Sequence, residues 1–149
     1  MKQFKVMLLC ASFMLLNLAC NKTRQHSKWL CGETWKVNEI TIAGQPDNLK
    51  PVLHFGECAI YDEICFGTLQ LEEEGYASFA WQIRAKGSIF ELSDQTEMVN
   101  AGNEKAVAFS SSFSGIFNIN EITKKRMIIS SDKCKKYAGK EVVISFVKQ

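Results

Sequence analysis

The sequence has little of what linkers, fibrous repeats and polyanion-binding surfaces require. Two prolines and nine glycines among 149 residues exclude a collagen-like or linker-dominated chain. The net charge of +2, from 18 basic and 16 acidic side chains, is too small to indicate a surface built for polyanions. The hydrophobic fraction of 46% and the charged fraction of 23% are typical of a globular protein and argue against disorder. We therefore expect one folded domain.

The chain also lacks an apolar run long enough to span a membrane. The longest weakly polar stretch, residues 6–19, is shorter than the roughly 20 residues that a spanning helix needs. It follows a positive segment that contains Lys2 and Lys5, and it ends where the sequence turns abruptly polar. This order is typical of a signal peptide, so we predict that residues 1–19 form one.

The end of this stretch, Asn17-Leu18-Ala19-Cys20, resembles the lipobox of bacterial lipoproteins of the Bacteroidetes type. The resemblance implies that Cys20 carries acyl chains, palmitate among them, and that residues 20–28 form a lipidated N-terminus and polar tether. Because Asn21 rather than Asp follows the cysteine, it also implies attachment to the outer membrane. The tether lacks the acidic cluster that surface-exported members of this type often carry, so the periplasmic leaflet is favoured over the cell surface. The alternative is an ordinary cleaved signal that leaves Cys20 as a spare thiol.

Cysteine pairing is the next expectation. If Cys10 leaves with the signal peptide and Cys20 is acylated, four cysteines remain: Cys31, Cys58, Cys65 and Cys134. An even number in an exported chain indicates disulfides, and four cysteines allow three pairings. The six residues between Cys58 and Cys65 suit a hairpin that a disulfide crosslinks. We therefore expect a Cys58–Cys65 bond and, from the remaining pair, a Cys31–Cys134 bond.

The body of the chain reads as short β-strands separated by turn residues, with no helix of useful length beyond a possible turn at residues 27–32. Period-two alternation is clear around Phe79, Trp81 and Ile83 and around Val142, Ile144 and Phe146. The predicted strands are Thr34–Ile42, Val52–Ile60, Ile64–Leu71, Tyr76–Arg84, Ser88–Leu92, Val107–Ser112, Gly115–Ile122, Arg126–Ser131 and Glu141–Val147. Eight or nine strands with short connections predict an all-β fold, a small antiparallel barrel or, alternatively, a β-sandwich.

Two segments carry a second resemblance. The run Gly32-Glu33-Thr34-Trp35-Lys36-Val37, and the closing segments from Ser114 to Ile144, resemble the start and end of lipocalin-like bacterial lipoproteins. The resemblance implies a lipocalin-like barrel over residues 29–149, and a basic residue on a late strand that covers the early Trp. It also implies binding of a small apolar or amphipathic ligand. Candidates for a ligand cavity are the aromatic residues Trp35, Phe55, Phe79, Trp81, Phe90, Phe109, Phe117 and Phe146, which could equally fill the barrel.

Enzyme signatures are weak, and we expect no enzyme, no cofactor and no metal site. His54 is the only histidine of the predicted domain, and the serine-rich run 110–114 lacks the turn that presents a nucleophilic serine. His54, Cys58 and Cys65 could be drawn as a zinc site, but one histidine with widely spaced cysteines favours disulfide use in an oxidising compartment.

Charge is divided along the chain. Residues 57–74 hold six acids and no bases, whereas residues 124–140 hold seven bases and one acid. Solubilising loops explain this division more simply than a binding surface does. If it is a surface, the candidates are Lys124, Lys125, Arg126, Lys133, Lys135 and Lys136, and the function becomes that of a protein-interaction module, an accessory lipoprotein of an envelope assembly or a periplasmic inhibitor. We expect a monomer, and the compartment excludes nucleic acid.

Overall fold

A computed structural model of the protein describes residues 22–58, 64–71, 75–94 and 104–149. The predicted signal peptide, Cys20 and five of the six acids of the stretch 57–74 lie outside the described residues. No helix among these ranges has the length and the apolar content that crossing a membrane would require.

Within the described residues, nine strands and two helices make up the fold. The strands are β1 (Thr34–Ile42), β2 (Gln45–Asp47), β3 (Val52–Phe55), β4 (Cys65–Gln70), β5 (Tyr76–Arg84), β6 (Ile89–Asp94), β7 (Gly115–Ile122), β8 (Arg126–Ser131) and β9 (Val142–Lys148). Residues 22–30 are helical and are called α1, and Glu104–Phe113 form α2 between β6 and β7. A 3-10 turn, Ala85–Gly87, connects β5 to β6.

Eight of the strands close into a barrel. Each strand from β3 to β9 pairs antiparallel with its neighbour in sequence, β3 pairs with β1, and β1 closes the ring by pairing with β9. The short β2 pairs only with the far half of β1, as an extra strand. Closure leaves no open sheet edge in the ring, and this up-and-down order is that of lipocalin-like barrels. The predicted barrel is confirmed, and the sandwich alternative is wrong.

The alternating strand directions give the barrel two distinct ends. At one end, called the α1 end, β1 begins directly after α1, and Thr34 lies opposite His54 near the end of β3. At the other, called the α2 end, α2 leads directly into β7, and β8 finishes. Each end therefore carries one helix.

Side-chain alternation directs the apolar residues inward. On β5, the buried residues Ala77, Phe79, Trp81 and Ile83 face the interior, as the period-two pattern predicts. On β1 the register shifts between Val37 and Glu39, which places two successive side chains outside and returns Ile40 to the interior. The bulge keeps the long strand curved around the core.

The helix α2 contradicts the predicted strand Val107–Ser112 and the expectation of no helix. Its buried residues, Ala106, Phe109, Ser110 and Phe113, recur at helical rather than strand spacing. The serines are compatible with a helix because their hydroxyls donate to backbone carbonyls four residues earlier. The Ser112 hydroxyl donates to the Ala108 carbonyl, and the Ser114 hydroxyl donates to the Ser110 carbonyl. Packing of this face against β4, β5 and β6 overrides the weak helix propensity.

The helix α1 differs from the polar tether expected for residues 20–28. Its Leu30 is fully buried, and the His26 ring stacks on Trp29 and contacts the Gly87 carbonyl through Nδ1 at 2.9 Å. Burial lowers the pKa of His26 below its usual value. Tertiary contacts therefore hold a helix that composition alone does not favour. The predicted helical turn is present, with Gly32 at φ +72° directly after it.

We predict that Phe55 dominates the stability of the barrel. Its ring is fully buried against three other aromatic rings, so Phe55→Ala should lower the free energy of unfolding by about 3–5 kcal/mol. Phe66 is the matched control, because its ring is 59% exposed on the neighbouring strand; Phe66→Ala should change stability by about 0.5 kcal/mol. Urea denaturation measures both, and equal losses would contradict the prediction.

Candidate functional site

Five of the eight aromatic residues predicted to line a ligand cavity have rings in contact with one another. All eight are buried, and seven project from strands; Phe109 projects from α2, not from the strand predicted for it. The Phe55 ring centroid lies 5.5 Å from that of Phe79 and 5.2 Å from that of Trp81, both edge to face. Phe90 continues the contact to Phe117 at 6.5 Å. All eight residues belong to the hydrophobic core of the described residues.

Two buried polar atoms have no hydrogen-bond partner within the described ranges, the Trp35 Nε1 and the Ser110 hydroxyl. Lys148 lies directly opposite Trp35 in the β1–β9 register, hence on the same face of the sheet. Its ammonium pairs with Glu33 at 2.8 Å. Lys148 is therefore the basic late-strand residue that the family resemblance implies, and the alternation of the last strand is the signal that could have identified it.

An open groove on the rim of the α2 end is the candidate binding site. β7 begins at Gly115, opposite Leu92, whereas β6 continues to Asp94, and a groove of about 390 Å³ lies at this rim. The residues that line it come from three segments: Glu91, Leu92, Ser93, Asp94, Ser114, Gly115, Ile116, Lys133 and Lys135. Sequence reasoning identified only the two lysines, because no local pattern connects segments so far apart.

The wall formed by residues 133–135 is held close to β7. The Ser131 hydroxyl donates to the Ile116 carbonyl and accepts from the Lys133 N–H, and the Lys135 N–H donates to the Ser114 carbonyl. Gly115 permits this approach, since a Cβ there would lie 2.7 Å from the Lys133 carbonyl oxygen. The groove is therefore a built feature of the fold.

The groove combines an apolar floor with charged walls. Leu92 is buried beneath it, and Ile116 is 45% exposed beside it. The Lys135 ammonium contacts Asp94 at 3.1 Å and the Ser111 hydroxyl at 3.2 Å. Burial raises the pKa of Asp94, but the hydrogen bonds from Lys135 and Ser111 and the Lys135 charge together lower it below its usual value.

Within the described residues, only one charge of the groove has no oppositely charged partner. Glu91 receives hydrogen bonds from Arg84 at 2.6 Å and from Gln82 at 2.7 Å. Lys133 makes no ion pair with any residue that the structure describes. The groove therefore offers one uncompensated ammonium beside an apolar floor.

The predicted interaction surface is divided between the two ends of the barrel. Lys124, Lys125 and Arg126 lie at the α1 end, where β8 begins, whereas Lys133, Lys135 and Lys136 follow β8 at the α2 end. A six-residue strand separates the groups by roughly 15–20 Å. The six side chains therefore do not form one surface, and two of them line the groove.

The cysteines are distributed differently from the prediction. Cys58 and Cys65 form a disulfide with a Cα–Cα distance of 5.5 Å, the pair that the spacing predicts. The predicted bond between Cys31 and Cys134 is not formed, because Cys31 lies at the α1 end and Cys134 follows β8 at the α2 end. Burial raises the pKa of the Cys134 thiol to about 11. Cys31 instead lies with its sulfur 2.8 Å from that of Cys58.

His54 is an exposed residue of β3, and its Nδ1 contacts the Thr34 hydroxyl at 3.1 Å. The serine-rich run 110–114 that was weighed for a nucleophile belongs to α2 and the residue after it. Among the described residues, no group of three or more histidine, cysteine or acidic side chains is arranged to hold a metal ion.

We predict that Lys135 controls the ionisation of Asp94. Lys135→Met removes the hydrogen bond and the charge but leaves the burial, so the pKa of Asp94 should rise in a carboxyl carbon NMR titration. Because the native pKa is lowered, Asp94 contributes stability above its unfolded-state pKa, and this stability is lost as the pH falls through the native value. Lys133→Met is the control from the same groove. Equal effects of the two substitutions would contradict the assignment.

No protein-family model matches the chain, and no curated protein matches it. Among solved structures, the chain is similar to japanin from Rhipicephalus appendiculatus bound to cholesterol, with 7% sequence identity and a TM-score of 0.49. The match covers 80% of this chain and 76% of japanin. We draw nothing about function from this likeness.

Proposed function

We propose that the protein is an exported, lipid-anchored lipocalin-like barrel that binds a small amphipathic ligand in the groove at the α2 end. The observation that carries the proposal is the combination of the apolar floor at Leu92 and Ile116 with the uncompensated Lys133 ammonium. A volume of about 390 Å³ falls within the range of small-molecule sites. The role is binding and not catalysis.

The groove favours a ligand with one anionic head group and a short apolar chain. Asp94 and Glu91 are each compensated by a neighbouring base, so an additional negative charge pairs with Lys133. The open shape lets a chain cover Ile116 while the head group stays hydrated, which keeps desolvation costs low. We assign the ligand to the rim rather than to the barrel interior, where buried aromatic rings contact one another.

We predict that dodecanoate binds in this groove and that Ile116→Asp weakens the binding at least about tenfold, because it replaces apolar contact by a repelling carboxylate. Amide chemical shifts of Leu92, Gly115 and Ile116 should change in a nitrogen-15 NMR titration. Lys133→Met should weaken dodecanoate binding by up to about fivefold and leave dodecanol binding unchanged, since an exposed ion pair contributes little.

Val147→Asp provides the matched control for this titration. Val147 is 38% exposed, against 45% for Ile116, and lies near the end of β9, away from the groove. Its substitution should not change the affinity for dodecanoate. Equal weakening by both carboxylates, or shifts confined to the barrel interior, would contradict the proposed site.

A protein partner is the second candidate, and the exposed pair Ile64 and Phe66 favours it. These side chains are two residues apart at the start of β4, and they are 54% and 59% exposed. Exposed apolar neighbours of this kind are typical of contact surfaces. Failure of dodecanoate to bind at all would favour this candidate over the ligand-binding one.

The membrane anchor rests on the sequence of residues 1–20. We predict that intact-mass analysis of the exported protein shows residues 1–19 removed and acyl chains on Cys20. Three acyl chains anchor a protein firmly, because one chain binds marginally and two or more suffice. Cys20→Ser should lose both the acyl mass and the membrane attachment. An exported wild-type protein without acyl mass would remove the anchor from the proposal.

A further inference from the structure

Three of the four cysteines within the described residues meet at the α1 end of the barrel. Cys31 directly follows α1, Cys58 lies three residues after β3, and Cys65 begins β4. Cys58 and Cys65 form a disulfide, and the Cys31 sulfur lies 2.8 Å from that of Cys58. The central sulfur therefore touches two others, only one of which it can bond at a time.

From this juxtaposition we propose that the three sulfurs form a thiol–disulfide exchange site with two alternative crosslinks. In the exchange, Cys31, as its thiolate, attacks the Cys58 sulfur. The Cys31–Cys58 bond forms, the Cys58–Cys65 bond breaks, and the electron pair leaves on the Cys65 sulfur, which takes up the proton that Cys31 gave up. One disulfide and one thiol exist before and after, so the step needs no oxidant or reductant.

The surrounding backbone holds the reacting groups together. The Cys31 N–H donates to the Ser27 carbonyl, and the Gly32 N–H donates to the Gly56 carbonyl at 3.4 Å, which joins the end of α1 to the segment after β3. The Gly56 N–H in turn donates to the Phe66 carbonyl on β4. All three cysteines are thus carried by segments that hydrogen bonds already connect.

The two crosslinks have different consequences for the chain. The Cys58–Cys65 bond spans 7 residues and joins the end of β3 to the start of β4. A Cys31–Cys58 bond spans 27 residues and joins α1 to the same end of β3. The longer loop restricts the unfolded chain more, so the second crosslink should stabilise the folded state against unfolding more than the first does. Exchange therefore replaces a disulfide between β3 and β4 by one that joins the end of α1 to the segment after β3.

The fourth cysteine takes no part in the exchange and serves as an internal reference. Cys134 is buried at the opposite end of the barrel. No other cysteine within the described residues lies beside it, so its thiol should persist in both crosslinked forms.

Disulfide mapping of the purified, exported full chain tests the proposal. The protein is held at pH 8 without oxygen, quenched with acid, alkylated, digested and analysed by mass spectrometry. We expect both the Cys58–Cys65 and the Cys31–Cys58 peptides from the wild type, with Cys134 alkylated in each form. Peptides that contain Cys20 are distinguished by mass. Detection of the Cys58–Cys65 peptide alone would overturn the proposal.

Two substitutions sharpen the measurement. Cys31→Ser should abolish the second crosslink and leave the first at full occupancy, whereas Cys134→Ser should leave the ratio of the two crosslinks unchanged. If the peptide mass assigned to the Cys31–Cys58 crosslink is still found in Cys31→Ser, that assignment is wrong. Cys65→Ser should form the Cys31–Cys58 bond. If this variant does not fold, the disulfide map of the wild type alone tests whether the second crosslink forms.

Discussion

The packing of Phe55 against Phe79, Trp81 and Phe90 is the interaction on which the rest of the structure depends. A closed eight-stranded barrel has an interior that side chains can fill, and here four rings from three strands meet edge to face or stacked. Gly67 is a condition of this packing, since a Cβ on it would lie 2.5 Å from the Phe79 ring. These contacts favour a ligand site on the rim over one in the interior.

Strand positions were predictable because the barrel imposes the same inside–outside alternation on every strand. Seven predicted strands keep their bounds or shift by a residue or two, from Thr34–Ile42 to Val142–Lys148. The helix α2 was not predicted, because Val107 and Phe109 suit a strand locally, and the helical spacing of Ala106, Phe109 and Phe113 matters only when the helix packs on the barrel. The alternation of the last strand is visible in the sequence, but only the β1–β9 register shows that Lys148 lies opposite Trp35.

The candidate site was less predictable than the fold, for a physical reason. The groove exists because β6 continues past Leu92, its last residue paired with β7, and because residues after β8 return to pack on Gly115. Neither event leaves a local pattern in the sequence. The cysteines illustrate the same limit: the short spacing predicts the Cys58–Cys65 pair, but the partner of Cys31 depends on which end of the barrel each segment reaches.

The two ends of the barrel differ in how they are held, and this difference bears on function. The α1 end is braced covalently, with three sulfurs beside the helix that emerges from the proposed anchor. The α2 end is held by hydrogen bonds and by the exposed Asp94–Lys135 pair, which are weaker and respond to pH and salt. A site on the α2 end can therefore adjust to a ligand while the braced end keeps the barrel closed. Of the two ends, the one farther from the anchor is the better placed to bind.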